Sequence, residues 1–286
     1  MFASVALLLA SGGASGGVDG ATLAAACQGK DGWTDSAPPA RVFGNVYDVG
    51  TCGIVALLVT SPDGHILVDA GMEAAAPLVA ANIERLGFKL RDVRYILNGH
   101  EHYDHAGGIA ELQRRTGATL VARAAARRAI ETGVADPADP QLTILERFPG
   151  ARVGRVIEDR GRVTLGPLTL TAHATPAHSP GSTSWSWRSC EGRRCLNIVY
   201  GDSVSAVSGD EYRFSAHPAY VTTFRASLAK LGSLPCDLLV TPHPAVSRFF
   251  PRMSGAEPLV DPTGCRRYAE AGGRALDARL AKEAGR

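Results

Sequence analysis

The sequence predicts an α/β protein built as an αββα sandwich, in which two mixed β-sheets pack face to face with helices on their outer faces. Three observations support this class. Strand-like and helix-like segments alternate, the strand-rich segments fall into two halves of the chain, and histidines follow strand ends in both halves. With 286 residues, 45% of them hydrophobic, the chain is long enough for one such domain. We therefore expect a single domain over residues 27–286.

In the first half, β-branched and aliphatic runs flank the turn Pro62-Asp63-Gly64, which predicts a β-hairpin whose second strand ends at Asp69. Further short apolar runs predict strands at residues 93–97 and 119–122. Apolar residues at helical spacing predict helices at residues 74–86, 109–115 and 124–131. Residues 131–150 contain three prolines and no clear periodicity, so we expect a long loop there, of the kind that often carries function.

The second half repeats this alternation. Its predicted strands cover residues 155–158, 163–173, 184–188, 196–201 and 237–241. Its predicted helices cover residues 221–231 and 264–284. Together, the two halves give the two sheets of the sandwich.

Charge and the N-terminal segment limit the function classes. Thirty basic and 28 acidic side chains leave a net charge of +2, so we do not expect nucleic acid as a partner. The apolar run at residues 5–10 is shorter than the roughly 20 residues of a spanning helix, so no stable membrane insertion is expected. It resembles the apolar part of a secretory signal without preceding basic residues, or less well a lipoprotein signal ending at Cys27. We expect residues 1–26 to be a leader and the protein to be periplasmic or secreted.

The cysteines form an even set without a Cys-x-x-Cys pair, which favours disulfides over a structural zinc and fits an oxidising compartment. Cys190 and Cys195 enclose a polar turn between two strand-like runs, so we expect them to pair. The simplest sequential solution then adds two further pairs, although the sequence leaves other pairings, or reduced cytoplasmic thiols, open. These two pairs are Cys27–Cys52 and Cys236–Cys265.

A dense cluster of potential metal ligands directly follows the strand predicted at residues 93–97. Residues 98–108 read Asn-Gly-His-Glu-His-Tyr-Asp-His-Ala-Gly-Gly. Neutral imidazole and carboxylate groups are ligands suited to zinc. Alternation along the chain brings His100 and His102 to one side, while Asp104 and His105 turn toward a neighbouring point, so one loop supplies ligands to two metals.

Each of these metals needs at least one more ligand from elsewhere in the chain. His178 lies in Thr-Pro-Ala-His-Ser-Pro-Gly and His243 in Thr-Pro-His-Pro, and both follow apolar strands and adjoin prolines. We take these two as the remaining ligands. Three other histidines lie outside such groupings and are assigned structural or solvent-exposed roles: His65, His173 and His217.

The string His100-Glu-His-Tyr-Asp-His105, followed by His178 and His243, resembles the motif of the metallo-β-lactamase superfamily, and the similarity extends over most of residues 45–245. The resemblance implies a two-zinc hydrolase whose catalytic domain covers residues 27–286. It assigns His100, His102 and His178 to the first zinc ion, and Asp104, His105 and His243 to the second.

The string Gly201-Asp202-Ser203-Val204-Ser205 bears on which superfamily member the chain resembles. Thioesterases of the glyoxalase II type and lactonases bridge their metals with an aspartate, and Asp202 is a candidate for that bridge. In β-lactamases of subclass B3, which the chain resembles more, a serine takes the metal-facing position. Ser203 and Ser205 are then contacts for the substrate carboxylate, and Tyr212 is a weaker candidate for a donor near the oxyanion.

The resemblance to subclass B3 implies hydrolysis of the β-lactam ring of penicillins, cephalosporins and carbapenems by a metal-bound hydroxide, and with it antibiotic resistance. His100 and His102 would hold the metal that polarises the carbonyl, and Asp104 would orient the hydroxide. We expect a monomer with two Zn²⁺ ions and a small-molecule β-lactam as its partner. The alternatives are a glyoxalase II-like thioesterase or lactonase and, outside the hydrolases, a mononuclear-iron dioxygenase of the same fold.

Overall fold

The computed structural model describes residues 17–285, which form two β-sheets packed face to face. The first sheet has seven strands whose spatial order follows the chain: β1 (Ala40–Phe43), β2 (Val46–Asp48), β3 (Leu57–Ser61), β4 (Gly64–Val68), β5 (Val93–Leu97), β6 (Thr119–Ala122) and β7 (Val153–Val156). The second has five strands in the order β12-β11-β10-β9-β8: β8 (Arg162–Leu165), β9 (Leu168–Ala174), β10 (Thr183–Glu191), β11 (Arg194–Tyr200) and β12 (Leu238–Val240).

Both sheets are mixed, as predicted. In the first sheet, β1 to β4 pair antiparallel and β4 to β7 pair parallel. In the second sheet, β8 to β11 pair antiparallel, and only the β11–β12 pair is parallel. Since each parallel pair needs a crossover connection, helices lie between these strands in sequence.

The described residues form eight α-helices: α1 (Gly20–Ala26), α2 (Ala76–Arg85), α3 (Tyr103–Ala106), α4 (Ile109–Thr116), α5 (Ala124–Thr132), α6 (Pro218–Gly232), α7 (Phe249–Met253) and α8 (Gly264–Ala284). Three short 3₁₀ turns lie at Glu73–Ala75, Leu90–Asp92 and Phe214–Ala216. Among residues 17–285, none of these helices combines the length and the apolar character needed to cross a bilayer.

The strands alternate between an inner and an outer face, which produces the layers of the sandwich. On β4, Ile66 and Val68 join the core between the sheets, while Leu67 packs outward under α2, α4 and α5. On β11, Ile198 and Tyr200 face the inner core, while Val199 packs under α6 and α8. Helices therefore cover both outer faces, and the αββα prediction is confirmed.

The structure contains the three disulfides expected from the sequence: Cys27–Cys52, Cys190–Cys195 and Cys236–Cys265. The second joins the paired ends of the β10–β11 hairpin. The third ties the segment before β12 to the start of α8, which secures the helix over the second sheet.

The folded region begins before the expected boundary at residue 27. Helix α1 packs against α7, and Leu23 is fully buried with Cys27, Ala37 and Cys52. Because Leu23 and the first disulfide share one apolar cluster, this helix is part of the body of the domain. Residues 1–16, which contain the apolar run of the expected leader, lie outside the described residues.

Two strand predictions need correction, and two strands were missed. The segment near residues 155–158, assigned to the second half, forms β7 and extends the first sheet because it pairs with β6. The single strand expected at residues 163–173 is two strands, since Gly166 takes a left-handed conformation (φ 53°) and turns the chain between β8 and β9. Strands β1 and β2 were not predicted.

Candidate metal centre

The candidate ligands lie on loops that follow strands of both sheets. The loop after β5 leads into α3 and carries four of them, His178 follows β9, and His243 follows β12. In the loop after β5, His105 N and Ala106 N both donate to the carbonyl of His102, which starts the short helix α3. The ligands predicted from both halves of the sequence are therefore brought to one edge of the sandwich.

The first group consists of His100, His102 and His178. One ring nitrogen from each lies within 4.8 Å of the others, a spacing that allows them to share a metal ion. His100 and His102 are buried, and His178 is 9% exposed. The three rings meet edge to face, with centroids 4.7 to 5.0 Å apart.

The second group consists of Asp104, His105 and His243. His105 Nε2 lies 3.1 Å from Asp104 Oδ2 and 3.3 Å from His243 Nε2, and His243 Nε2 lies 3.4 Å from Asp104 Oδ2. Ligands about 2.0 to 2.1 Å from a tetrahedral zinc ion stand roughly 3.3 Å apart. The spacing of these atoms therefore suits one zinc ion. His243 is the most exposed of the three, with 29% of its side chain accessible.

Carboxylates fix the ring orientation of His100 and His105. His100 Nδ1 donates to Asp202 Oδ1 at 2.8 Å, and His105 Nδ1 donates to Asp69 Oδ2 at 2.9 Å. All four side chains are buried. A carboxylate that holds one imidazole nitrogen as a donor leaves the other nitrogen free to bind a metal.

His102 and His178 are oriented in the same way by other partners. His102 Nε2 donates to Asp139 Oδ2 at 2.9 Å, which leaves Nδ1 free. His178 Nδ1 lies 3.1 Å from the carbonyl oxygen of Ser205 and 2.9 Å from its hydroxyl, which leaves Nε2 free. The side-chain amide of Gln141 lies 3.1 Å from that nitrogen, so a metal ion bound there would displace this contact.

Asp69 reaches His105 through an unusual backbone conformation. The residue follows β4 with φ 67°, in the left-handed region that costs a non-glycine residue roughly 1 kcal/mol or more. Its Oδ2 atom also accepts a hydrogen bond from the hydroxyl of Tyr200 at 2.6 Å. The local strain is thus offset by a buried polar network at the end of two strands.

Burial lowers the pKa of His100 and of His178 well below the ordinary histidine value. Both rings are therefore neutral at physiological pH, the form that binds metals. Burial would raise the pKa of Asp104, but the neighbouring His105 and His243 lower it below the ordinary value. Asp104 is therefore an anion, which contributes charge as well as an oxygen ligand.

The chemistry of this donor set fits a divalent metal ion. Among the described residues, buried side-chain atoms without a hydrogen-bond partner include His100 Nε2, Asp69 Oδ1 and Asp202 Oδ2. Such atoms are rare in folded proteins and need a reason. A metal ion bound by the first group would satisfy His100 Nε2.

Asp202, the candidate for a bridge between two metals, belongs to neither ligand group. It contacts the Nδ1 atom of His100, whereas Nε2, on the other side of the ring, is the nitrogen that remains free for a metal. Ser203 is buried, and together with Ser205 and His243 it lines a cavity of about 770 Å³. Ser205, expected to contact substrate, also orients His178.

Tyr212 lies within an aromatic cluster. Its ring stacks on His217 at 4.4 Å and packs edge-on against Phe214 and Tyr220. Within the described chain, no hydrogen bond joins its hydroxyl to a ligand residue. Burial, with the charges of Asp139 and Glu283, raises the pKa of Tyr212 to about 12, so the hydroxyl keeps its proton.

The sequence interpretation missed three residues that support the ligands: Asp69, Asp139 and Gln141. Asp69 was noted only as the end of a strand, although a carboxylate at the end of a buried strand indicates a polar site. Asp139 and Gln141 lie in the aperiodic segment 131–150, where no pattern distinguishes them. Its expected functional importance was the only signal available.

The family model described as the metallo-beta-lactamase superfamily matches residues 49–243, more than half of the chain. With the fold and the two ligand groups described above, this match shows that the chain belongs to the metallo-β-lactamase superfamily.

Comparison with solved structures shows which members of that superfamily the chain resembles closely in structure. The metallo-β-lactamase MIM-1 from Novosphingobium pentaromativorans is 53% identical, with a TM-score of 0.91 over 92% of this chain and 98% of that one. The metallo-β-lactamase SMB-1 is 45% identical, with a TM-score of 0.85 over 88% and 99%. BJP-1 of Bradyrhizobium japonicum, a subclass B3 enzyme, is 35% identical, with a TM-score of 0.79 over 88% and 97%. The structural neighbours are therefore metallo-β-lactamases of subclass B3.

More distant relatives carry other activities. The hydroxyacylglutathione hydrolase of Anaeromyxobacter dehalogenans is 28% identical over 61% of this chain and 55% of its own length. The human mitochondrial persulfide dioxygenase ETHE1 is 25% identical over 62% and 57%. The chain thus spans about half the length of these curated relatives.

Proposed function

We propose that this protein is a zinc-dependent β-lactamase of subclass B3 that opens the ring of penicillins, cephalosporins and carbapenems. The observation that carries the proposal is the position of Asp202, whose Oδ1 atom binds His100 Nδ1 at 2.8 Å and which belongs to neither ligand group. In a thioesterase or lactonase this aspartate would bridge two metals. Here it contacts the imidazole nitrogen of His100 that points away from the proposed metal. The high identity to subclass B3 structures supports the same choice.

The proposed ligands of the first zinc ion are His100, His102 and His178, and those of the second are Asp104, His105 and His243. When bound, such ions lower the pKa of a coordinated water from 15.7 to about 7 and polarise a carbonyl oxygen. The protein holds the ligands in place through buried carboxylates and excludes water around them. Asp104, an anion within 3.4 Å of both second-site histidines, is suited to orient the nucleophile.

A cavity borders the candidate metal centre at His243 and is otherwise lined mostly by α7, α8 and the segment between them. It has a volume of about 770 Å³, within the usual range for small-molecule sites, and reaches His243, Ser203 and Ser205. The exposed Ser205 and the partly exposed His243 line the part of this cavity that borders the ligand groups. We assign Ser203 and Ser205 to the substrate carboxylate, with Ser205 also orienting His178, and Tyr212 to a peripheral role in substrate binding.

The structure offers little support for the alternative mechanism of serine β-lactamases, in which a serine forms a covalent acyl-enzyme. Ser227-Leu228-Ala229-Lys230 matches the Ser-x-x-Lys spacing of serine β-lactamases. However, Ser227 is buried within α6 and donates to the carbonyl of Thr223, and Lys230 pairs with Asp159 at 2.9 Å. In the described part of the chain, no hydrogen bond or ion pair joins either side chain to the other or to the ligand groups.

We also propose that the protein is exported and acts as a monomer, conferring resistance where it meets the drug. Three disulfides favour an oxidising compartment such as the periplasm. All six proposed ligands come from one chain, so the site needs no second copy. Cell fractionation and gel filtration of the purified protein test these two points.

The decisive experiment follows ultraviolet absorbance of a penicillin, a cephalosporin, a carbapenem and a glutathione thioester, with and without a chelator. Variant His102→Ala removes a proposed ligand. His173→Ala is the matched control, because His173 lies on β9 and pairs with Ser186, away from both groups. We expect β-lactam turnover that the chelator and His102→Ala abolish and His173→Ala retains.

Metal analysis by mass spectrometry accompanies this assay, with two zinc ions per chain expected. A protein with two zinc ions that opens no β-lactam but cleaves the thioester would replace the proposal with a glyoxalase II-like activity. One iron ion per chain would favour the dioxygenase.

A further inference from the structure

Asp139 is a buried carboxylate that comes from a loop and not from a strand end. It lies between α5 and β7, and only 2% of its surface is exposed. Its Oδ2 atom accepts from His102 Nε2 at 2.9 Å, and its Oδ1 atom accepts from the backbone of Gln141 at 2.8 Å. Both carboxylate oxygens are therefore committed, one to the metal centre and one to the loop itself.

We propose that Asp139 is a positioning residue for the first metal ion. By holding Nε2 of His102 as a donor, it fixes the ring so that Nδ1 is the nitrogen presented to His100 and His178. The affinity of the first ligand group for its ion then depends on the loop that contains Asp139. This inference rests on the metal centre of the proposed function, but not on the identity of the substrate.

The loop that carries Asp139 is itself anchored next to another ligand. Gly209 N donates to the carbonyl of Pro140 at 2.9 Å, and a Cβ atom on Gly209 would lie 2.0 Å from Thr143 Oγ1. Gly209 is four residues beyond Ser205, which orients His178. The loop is therefore packed closely against the segment that holds a second ligand of the same group.

Gln141 adds a direct contact from the same loop. Its side-chain amide lies 3.1 Å from His178 Nε2, and its backbone amide is the group bound by Asp139. Asp139 thus links the orientation of His102 to the position of a side chain beside His178. The second ligand group has no such link, since His105 is held by Asp69 at the end of β4.

The proposal therefore predicts that Asp139→Asn weakens binding of the first metal ion and not of the second. Asparagine carries no charge and has one acceptor oxygen, so it cannot accept from both His102 Nε2 and Gln141 N. The affinity for the first ion therefore falls by about 10- to 100-fold, while the second ion is retained. Asp136→Asn is the matched control, because it removes the same charge from the same loop, and among residues 17–285 the only hydrogen bond to its carboxylate comes from the backbone of Ala138.

Zinc and cobalt affinities are measured by competition with a chromophoric chelator, which resolves the loss of one ion from the loss of both. The zinc-free forms are compared by circular dichroism and thermal unfolding, so that a folding defect is recognised. Asp139→Ser, which leaves space for a water molecule, is the second variant if Asp139→Asn folds poorly.

Nuclear magnetic resonance of the imidazole groups provides a readout independent of activity. In zinc-free wild type and Asp136→Asn, we expect the Nε2 proton of His102 to resonate far downfield, as a proton shared with a carboxylate does. It should be lost in Asp139→Asn. Unchanged affinity for both ions, or equal weakening of both, would overturn the proposal. Because neither measurement uses a β-lactam, failure of the proposed substrate assignment would be seen separately.

Discussion

Asp48 is a buried carboxyl group that belongs to neither ligand group, and we expect it to make the protein less stable as the pH rises. It ends β2 with 2% of its surface exposed, and its Oδ1 atom accepts from Gly50 N at 3.0 Å. Its Oδ2 atom has no partner among residues 17–285. Burial raises the pKa of Asp48 from 3.8 to about 7, although hydrogen bonds from the backbone of Gly50 and Ala56 oppose the rise.

A raised pKa means that the folded state holds the proton more tightly than the unfolded chain, so stability falls as the pH increases from 3.8 to about 7 and then levels off. Linkage gives a cost of about 1.7 kcal/mol at pH 5 and about 4 kcal/mol at pH 8. Asp48→Asn keeps the acceptor for Gly50 N but carries no charge. The variant should therefore gain about 2.6 kcal/mol over wild type between pH 5 and pH 8.

Urea denaturation at pH 5 and pH 8 measures this difference, in the presence of a chelator so that metal binding does not contribute. Asp210→Asn, which removes an exposed carboxylate, is the control and should show almost no pH-dependent difference from wild type. If the stability difference between Asp48→Asn and wild type is the same at both pH values, Asp48 is not the buried titrating group described here.

Three other predictions concern stability and metal binding. Leu23→Ala should lower the free energy of unfolding by about 3 kcal/mol, because it empties a buried position beneath α1; an unchanged value would show that α1 is not part of the stable fold. Replacing Cys236 and Cys265 by serine should cost about 3.6 kcal/mol for a separation of 29 residues, against about 2 kcal/mol for the β10–β11 hairpin disulfide with its separation of 5. Equal losses in urea denaturation would contradict the loop-entropy argument. Asp202→Asn should still bind two zinc ions, with about 10- to 100-fold weaker affinity at the first group. A capacity of one ion by mass spectrometry would instead identify Asp202 as a bridge.

The sequence was most informative where function depends on local spacing. Four candidate ligands lie within six positions, and the other two follow apolar strands beside prolines, so their positions could be predicted without tertiary contacts. The structure brings all six together. The layers were equally predictable, because alternation on strands such as β4 divides apolar residues between two faces.

Features that depend on long-range contacts were not predictable. Strand β7 belongs to the first sheet because it pairs with β6. The local sequence pattern does not indicate which strand it pairs with. Asp139 contacts His102 across 37 positions of chain, from a segment without periodicity. Asp139 can orient His102 only because the loop folds back onto the metal centre. Composition and residue spacing do not predict that fold of the loop.

Asp202 shows why a motif alone does not separate enzymes that share this fold. A Gly-Asp string after β11 is compatible with a bridging aspartate and with an aspartate that supports a ligand, since both place a carboxylate near the same histidine. The two arrangements differ in the side of the ring on which the carboxylate lies, because a bridging carboxylate binds the metals and so lies on the side of the metal-binding nitrogen. Here the contact is to Nδ1 of His100, and Nε2 remains buried without a partner. The proposed β-lactam hydrolysis rests on that face of one ring, which no linear pattern specifies.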